Sequence, residues 1–271
     1  MTGSSSARWA AEVKGSMGRA DSTGMSWIVA AGVVALAIAA GWHVARRRNR
    51  QRELMLLCRH AGLTFAPMDP FPDTVWLPFR WLGEERWIHT ENVVWWDQEP
   101  DGVRAFDLTT ERSPAAQDGE PTHHRYTCAS VPLPFGCPRL EIRPRGALDH
   151  VAGAIAGDEV RLELEAFNRR FHVSASDHRF VVAFCSPQMM QAMLALPEGI
   201  TIAVNEDRML LRSPELSAAQ VLLTFEAARA LRDDVPEVVA SLYPPRPMKG
   251  RHEDRWLQGH WSPEPIGEAE A

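Results

Sequence analysis

Hydrophobic positions along this chain follow three different rules. From Ser26 to Ala45 (SWIVAAGVVALAIAAGWHVA) the chain runs 20 residues without a formally charged side chain. At 1.5 Å per residue a helix of that length spans about 30 Å, the thickness of a bilayer's hydrocarbon core. The pattern predicts one transmembrane helix over 26–45. Trp27 and Trp42 stand near its ends, about 22 Å apart on a helix. Indole rings favour the headgroup layer at such positions, because one edge is apolar and the N–H seeks water. His43 beside them reads as an interfacial residue whose ring tip reaches water. Glu53 to His60 (ELMLLCRH) crowds apolar residues on one face and continues as a short helix that Gly62 ends.

Beyond Gly62 the period is lost and then returns as two. Pro67, Pro70, Pro72 and Pro78 forbid a helix and predict an extended connector lying over a hydrophobic surface. ENVVWWDQ, VRAFDLTTE, HRYTCASVPL and LEIRP are short runs rich in Val, Thr and aromatics. Separated by Pro100-Asp101-Gly102, Ser113 to Pro121 and Pro134 to Pro138, they predict an antiparallel meander. Residues 146–156 suggest a short helix, and EVRLELE and FHVSA return to strand character around Phe167 to Arg170. Ser176 and Asp177 can cap a helix over 178–185, and Ser186-Pro187 can start another over 188–196 that Pro197 and Gly199 end. GITIAV and RMLLR flanking Asn205-Glu206-Asp207 read as a hairpin. Val221, Leu222, Phe225, Ala228 and Leu231 fall at helical spacing. Strands first and helices later, with no βαβ repeat, define an α+β class: an N-terminal transmembrane helix, then a soluble domain of antiparallel sheet and packed helices.

The Gly/Ser/Ala-rich residues 1–25 and the proline-rich residues 244–271 predict disorder. The resulting organisation is 1–25 disordered, 26–45 membrane span, 46–60 basic juxtamembrane segment and short helix, 61–243 soluble domain, 244–271 disordered tail. Cys58, Cys128, Cys137 and Cys185 show no C-x-x-C and no regular spacing, so free, buried thiols in a reducing compartment are expected.

Charge sharpens the picture at one place. The net charge is −6, yet residues 1–50 hold seven basic and two acidic residues, leaving 22 basic and 33 acidic for residues 51–271. A domain of net −11 lacks the basic face that nucleic acid requires, so nucleic-acid binding is set aside. Arg46, Arg47, Arg48, Arg50 and Arg52 crowd directly after the apolar run. Positive residues stay cytoplasmic, which places the chain in the plasma membrane, single-pass, with the N-terminus outside and the C-terminal domain in the cytoplasm. The same arginines suit anionic lipid headgroups. A cleaved signal peptide is the rival reading, since Ala35-Leu36-Ala37 and Ala37-Ile38-Ala39 have the small-x-small form. Its positive charge would stand before the apolar stretch, not after it.

LPFRWL, ENVVWW, VRAFDL, HRYTCASVPLP, EAFNRRFHVSASDHRF and PQMMQAML occur in an order that resembles a family of uncharacterised bacterial, largely actinobacterial, single-pass membrane proteins with a C-terminal α+β domain. The sharpest part is Glu165 to Phe171, with Asn168, Arg169 and Arg170 at its centre, followed by Asp177, Arg179 and Phe180, then Pro187 and Met190. The resemblance covers roughly residues 26–240 and implies the architecture without implying any chemistry. Extra tryptophans after the membrane segment depart from the family's pattern.

Candidate chemistry is sparse. His123, His124, Cys128 and Cys137 are the nearest approach to a metal cluster, with His124, Tyr126 and Cys128 sharing one strand face. Solvated histidines beside a buried thiol are the plainer reading, and no metal, cofactor or catalytic residue is assigned. Asp177-His178 and Asp149-His150 are neighbours whose side chains diverge, and capping suits Asp177 better than acid–base work. No G-x-S-x-G, P-loop or H-E-x-x-H is present. Asn168, Arg169, Arg170, Asp177 and Arg179 form either an interaction surface or a structural motif in which Phe167 and Phe171 anchor the chain and the arginines meet carboxylates. Trp95 and Trp96 must face opposite sides of a strand. Two functions follow: a membrane-anchored cytosolic module that binds an unknown protein partner without catalysis, or an enzyme whose polar residues gather around His123, His124, His172 and Asp177.

Overall fold

The computed structural model describes residues 6–71, 77–79, 85–99, 102–112, 121–146 and 160–245; for 6–30, His43, Glu85, Trp87 and Ile88 it describes the backbone alone. Two compact units emerge, Met1–Leu56 and Leu57–Ala271.

The first unit is helix. α1 runs Ser6–Ala61 without a break, so the short helix expected after the span is its continuation. The helix also begins 20 residues before the apolar run, inside the stretch whose composition predicts disorder. It stops at Gly62, whose φ of +70° only glycine adopts at no steric cost. Leu63 N–H donates to the Cys58 carbonyl at 2.8 Å, the long-range bond of a Schellman stop.

The second unit is an antiparallel sheet of six strands with helices, the α+β arrangement expected. β1 (Thr64–Met68), β2 (Glu85–Trp95), β3 (Arg104–Arg112) and β4 (Thr122–Pro144) form the meander. α2 (Glu165–Arg170) leads into β5 (Phe171–Ala175), which pairs with the far end of β4. α3 (His178–Phe184) and α4 (Pro187–Leu194) follow, then β6 (Thr201–Pro214), α5 (Ala218–Asp233) and α6 (Glu237–Leu242). Asp177 Oδ1 caps α3 by accepting from Arg179 N–H at 2.8 Å and Phe180 N–H at 3.4 Å. Ser186 Oγ accepts from Met189 N–H at 3.2 Å to start α4. Ser217 and Gln220 form the capping box of α5. The residues suggesting a helix over 146–156 lie almost wholly outside the described residues.

Two expected breaks are absent. HRYTCASVPL and LEIRP are parts of one 23-residue strand, β4, which continues through Pro134 to Pro138. The reason is where its neighbours lie. β3 pairs with residues 122–130 and β5 with 140–144, so between them β4 has no strand on that side. Pro132, Pro134 and Pro138 fall in that gap, where a missing N–H costs no ladder bond. Gly136 N–H meets the Pro244 carbonyl there at 3.3 Å instead. Likewise GITIAV and RMLLR are one strand, β6, and not a hairpin. Glu206 takes a φ of +55° opposite Cys137, with a register shift on either side. One residue in the left-handed region makes a bulge that bends a strand without reversing it.

The sheet buries both faces. On one, Leu77 and Phe79 of the proline-rich connector pack over Val93, Phe106, Leu108, Cys128 and Leu210, with Phe71, Trp95 and Tyr126 at the margin. This is the covering role expected of that connector, although 72–76 lie outside the described residues. The alternate residues of β3 and β4 point to the other face, on which α5 packs through Val221, Phe225, Ala228 and Leu231. Ala105 and Ala129 oppose each other there, small enough to let the helix approach.

Candidate functional site

Six large apolar side chains of α1 stand exposed in succession: Val33, Val34, Leu36, Ile38, Trp42 and Val44, each 47–72% accessible. At about 100° per residue they point to about 0°, 100°, 300°, 140°, 180° and 20° around the axis. A surface helix of a globular protein confines such residues to one stripe; a helix apolar on every side has hydrocarbon or protein around it. Among the described residues no helix is long and apolar enough to cross a membrane. Within 26–45 the side chains described are 31–42 and 44–45, so Trp27 lies outside them.

The arginines follow at once. Arg46, Arg47, Arg48 and Arg52 are exposed and Arg50 is half-buried. The guanidinium of Arg46 sits 5.8 Å from the centre of the Trp42 ring, a cation–π contact that places aromatic and charge at one level.

The polar residues of the domain are arranged quite differently. His123 and His124 lie at the start of β4, opposite Glu111 and Thr110. His172 lies opposite Arg143 near the end of β4, and Asp177 follows β5. The two pairs are therefore separated by almost the whole length of β4, and the convergence that an active site around them requires is not present. His124 and Tyr126 share a face, as period two demands, with ring centres 6.4 Å apart, and Arg212 lies 4.8 Å from the Tyr126 ring. Cys128 is buried on that same face. Among the described residues no group of three His, Cys, Asp or Glu is placed to hold a metal. All four cysteines are free and buried. Burial pushes the Cys58 thiol up to about 11 and the Cys185 thiol up to about 12. Burial also raises Cys128 above the ordinary thiol range. Protonated thiols of this kind are poor nucleophiles at neutral pH.

The Asn-Arg-Arg step is turned inward. Asn168 Oδ1 accepts from Leu162 N–H at 3.0 Å while its Nδ2 donates to the Leu162 carbonyl at 2.6 Å. Arg170 donates to the carbonyls of Leu194, Leu196 and Pro197 at 2.5–3.1 Å. Those are the orphan acceptors at the end of α4 and just past it, which a cation satisfies well. The expectation that this arginine meets a carboxylate is thus replaced by backbone carbonyls. Arg169 is exposed, and so is Arg179. Asp177 Oδ2 accepts from the Tyr243 hydroxyl at 2.7 Å, and the Tyr243 ring meets Phe180 edge-on at 5.1 Å. That hydrogen bond is the main reason the Asp177 carboxyl is held below its ordinary value, with the α3 backbone N–H groups adding to it.

A buried polar row on the α5 face escaped the sequence reading. Asn92, in the left-handed region with φ +57°, donates through Nδ2 to Asp107 Oδ2 at 2.8 Å. Thr127 Oγ1 donates to Asp107 Oδ1 at 3.1 Å and accepts from Leu216 N–H at 3.1 Å. Beside them Arg125 pairs with Glu91 at 2.6 Å and Glu215 at 3.6 Å. These contacts hold a β2 bulge and the chain entering α5. The available signal was alternation in VRAFDLTTE, which puts Asp107 on the face opposite Phe106 and Leu108. Trp95 meets Phe71 at 5.2 Å on one face of the sheet, while Trp96 lies under Arg229 of α5 at 4.4 Å, so the two tryptophans do diverge.

An α+β domain carried behind one long, partly apolar helix is the class that fold and site define. No protein-family model matches the chain, and no curated protein matches it. Among solved structures it is similar to the crystal structure of the mycobacterial trehalose monomycolate transport factor A, TtfA, at 13% identity and a TM-score of 0.46, over 74% of this chain and 99% of that one.

Proposed function

We propose that this protein is a membrane-anchored module: residues 26–45 of α1 cross the plasma membrane once, and the domain over 61–243 lies in the cytoplasm and binds another protein without catalysing a reaction. One observation carries the anchor. The helix is bare and apolar on all sides through Val33–Val44 and then carries five arginines within seven residues. Apolar surface costs about 25 cal/mol per Å² in water, so such a helix demands a cover, and lipid supplies it on every side at once. The arginines set the orientation, because loops rich in Arg remain on the cytoplasmic side. A family resemblance to single-pass bacterial membrane proteins agrees with both steps. Support for binding over catalysis comes from the domain, where the candidate polar residues stand at opposite ends of β4 and the Asn168–Arg170 motif is engaged with the protein's own backbone.

The test is protease protection in intact spheroplasts, with an epitope at the C-terminus and the mass read before and after lysis. The proposal expects an epitope that survives until lysis on a chain of full mass. Loss of the epitope from intact spheroplasts overturns the orientation. A chain shortened by about 40 residues, as cleavage after the Ala-x-Ala sites would give, overturns the anchor.

A further inference from the structure

The arginines after the span do more than mark a side of the membrane. At about 100° per residue Arg46, Arg47, Arg48, Arg50 and Arg52 project at about 0°, 100°, 200°, 40° and 240° around the α1 axis. They encircle the helix. Their Cα atoms span about 9 Å of axis, comparable with the headgroup layer of roughly 6 Å on each side of the hydrocarbon core. A site for a protein partner or a membrane-surface helix would gather its charges on one stripe. A ring around the helix instead faces whatever surrounds the helix at that depth, and the Trp42–Arg46 contact fixes that depth at the boundary between apolar and charged side chains. Glu53 is the one acidic residue between Ser26 and Ala61.

We infer that Arg46, Arg47, Arg48, Arg50 and Arg52 form a collar that binds the phosphates of anionic phospholipids in the cytoplasmic leaflet and enriches them around α1; this rests on the membrane-anchored reading above. Guanidinium suits phosphate because its planar fork gives two parallel hydrogen bonds to one group. The bound lipids are drawn to the collar alone, since the domain beyond it is acidic and repels them. The collar therefore keeps a negatively charged domain on a negatively charged membrane.

The experiment uses the full chain reconstituted into phosphatidylcholine vesicles containing a fraction of phosphatidylglycerol. Electron spin resonance compares the motionally restricted fraction of spin-labelled phosphatidylglycerol with that of spin-labelled phosphatidylcholine. The collar predicts a preference of about five-fold or more for the anionic label, what one arginine's attraction supplies. It should fall towards one when all five arginines become Gln, and return only in part when all five become Lys, which restores the charge without the fork. Molar salt should weaken it without abolishing the bidentate part. A preference near one in the unaltered protein, or one unchanged by the Gln variant, overturns the collar. Alkaline carbonate extraction of the same vesicles separates the two ideas: protein that stays with the lipid while showing no preference sinks the collar and leaves the anchor standing. Protein released by carbonate sinks both.

Discussion

Two arginine-rich places in this chain look alike as text and behave oppositely as structure. Arg46 to Arg52 ring a helix, their side chains spread to every side of it, four exposed and Arg50 half-buried. Arg170, from a motif with two arginines in seven residues, is spent on three carbonyls at the end of α4 and just past it, with its guanidinium 5.1 Å from the Phe171 ring. Asn168 beside it is locked to Leu162 from both sides. The difference teaches that residue type does not assign an arginine's role. What assigns it is whether unsatisfied backbone acceptors lie within reach of the side chain.

This contrast can be broken by measuring stability. Arg170→Ala should cost the most, about 3 kcal/mol, because hydrogen bonds to a charged donor are lost and buried carbonyls are left unmet. Chemical denaturation of the full chain in detergent reads it, and Arg170→Lys should recover less than half, since one ammonium cannot reach three carbonyls. Next comes Asn168→Ala, about 2 kcal/mol, for the two Leu162 groups it strands. Asn168→Asp should be no better, as it sets a carboxylate against the Leu162 carbonyl.

A smaller effect, about 1 kcal/mol, is expected for Tyr243→Phe or Asp177→Ala, the latter removing a helix cap; a double-mutant cycle should show the two coupled. Their pH dependence has a definite sign. Asp177 has a folded-state value lowered from 3.8, chiefly by the Tyr243 hydrogen bond. Its contribution is whole above 3.8 and disappears as pH falls through the lower folded value. Tyr243 is pushed from 10.0 up to about 12, first by burial and then by the Asp177 carboxylate. That contribution is whole below 10.0 and disappears as pH rises through about 12. The gap in stability between the unaltered protein and Tyr243→Phe should therefore be steady at neutral pH and close at both extremes. Smallest of all, Arg47→Ala and Arg169→Ala should each move stability by under about 0.5 kcal/mol. If Arg169→Ala costs as much as Arg170→Ala, the inward reading of the motif is wrong.

Much of this was legible in sequence, for reasons that separate the successes from the failures. Period two in ENVVWW, VRAFDL and HRYTCASV reports a sheet because alternation is imposed by the pleat itself. Asp177 and Ser186 were readable as caps because a cap acts within three residues of its own position. Pro134 to Pro138 misled, since a proline ends a strand only where its N–H is needed, and the bare side of β4 depends on where β3 stops and β5 begins. Glu206 misled in the same way: a left-handed residue serves a turn or a bulge, and only the partner strand decides which. Asn168 and Arg170 were visible as a motif, while their partners were not, because those partners are backbone atoms of Leu162, Leu194, Leu196 and Pro197 that carry no signature in side-chain chemistry.

The continuity of β4 has a consequence in time as well as in space. Its pairing with β6 joins Tyr126 to Pro214 and Ile142 to Ile202, so one flank of β4 waits for a strand whose last residue lies 70 positions beyond its own end at Pro144. At ribosomal speeds of 5–20 residues per second that is roughly 4–14 s during which the edge is open on the nascent chain. Pairings so distant close late and slowly, and an open edge invites another chain. Pro132, Pro134 and Pro138 withhold N–H groups on the opposite flank, in the stretch between β3 and β5 that stays without a strand in the finished fold. The prolines that obscured the strand in the sequence thus guard the flank that no strand ever covers, while the flank open during synthesis is closed by β6 alone.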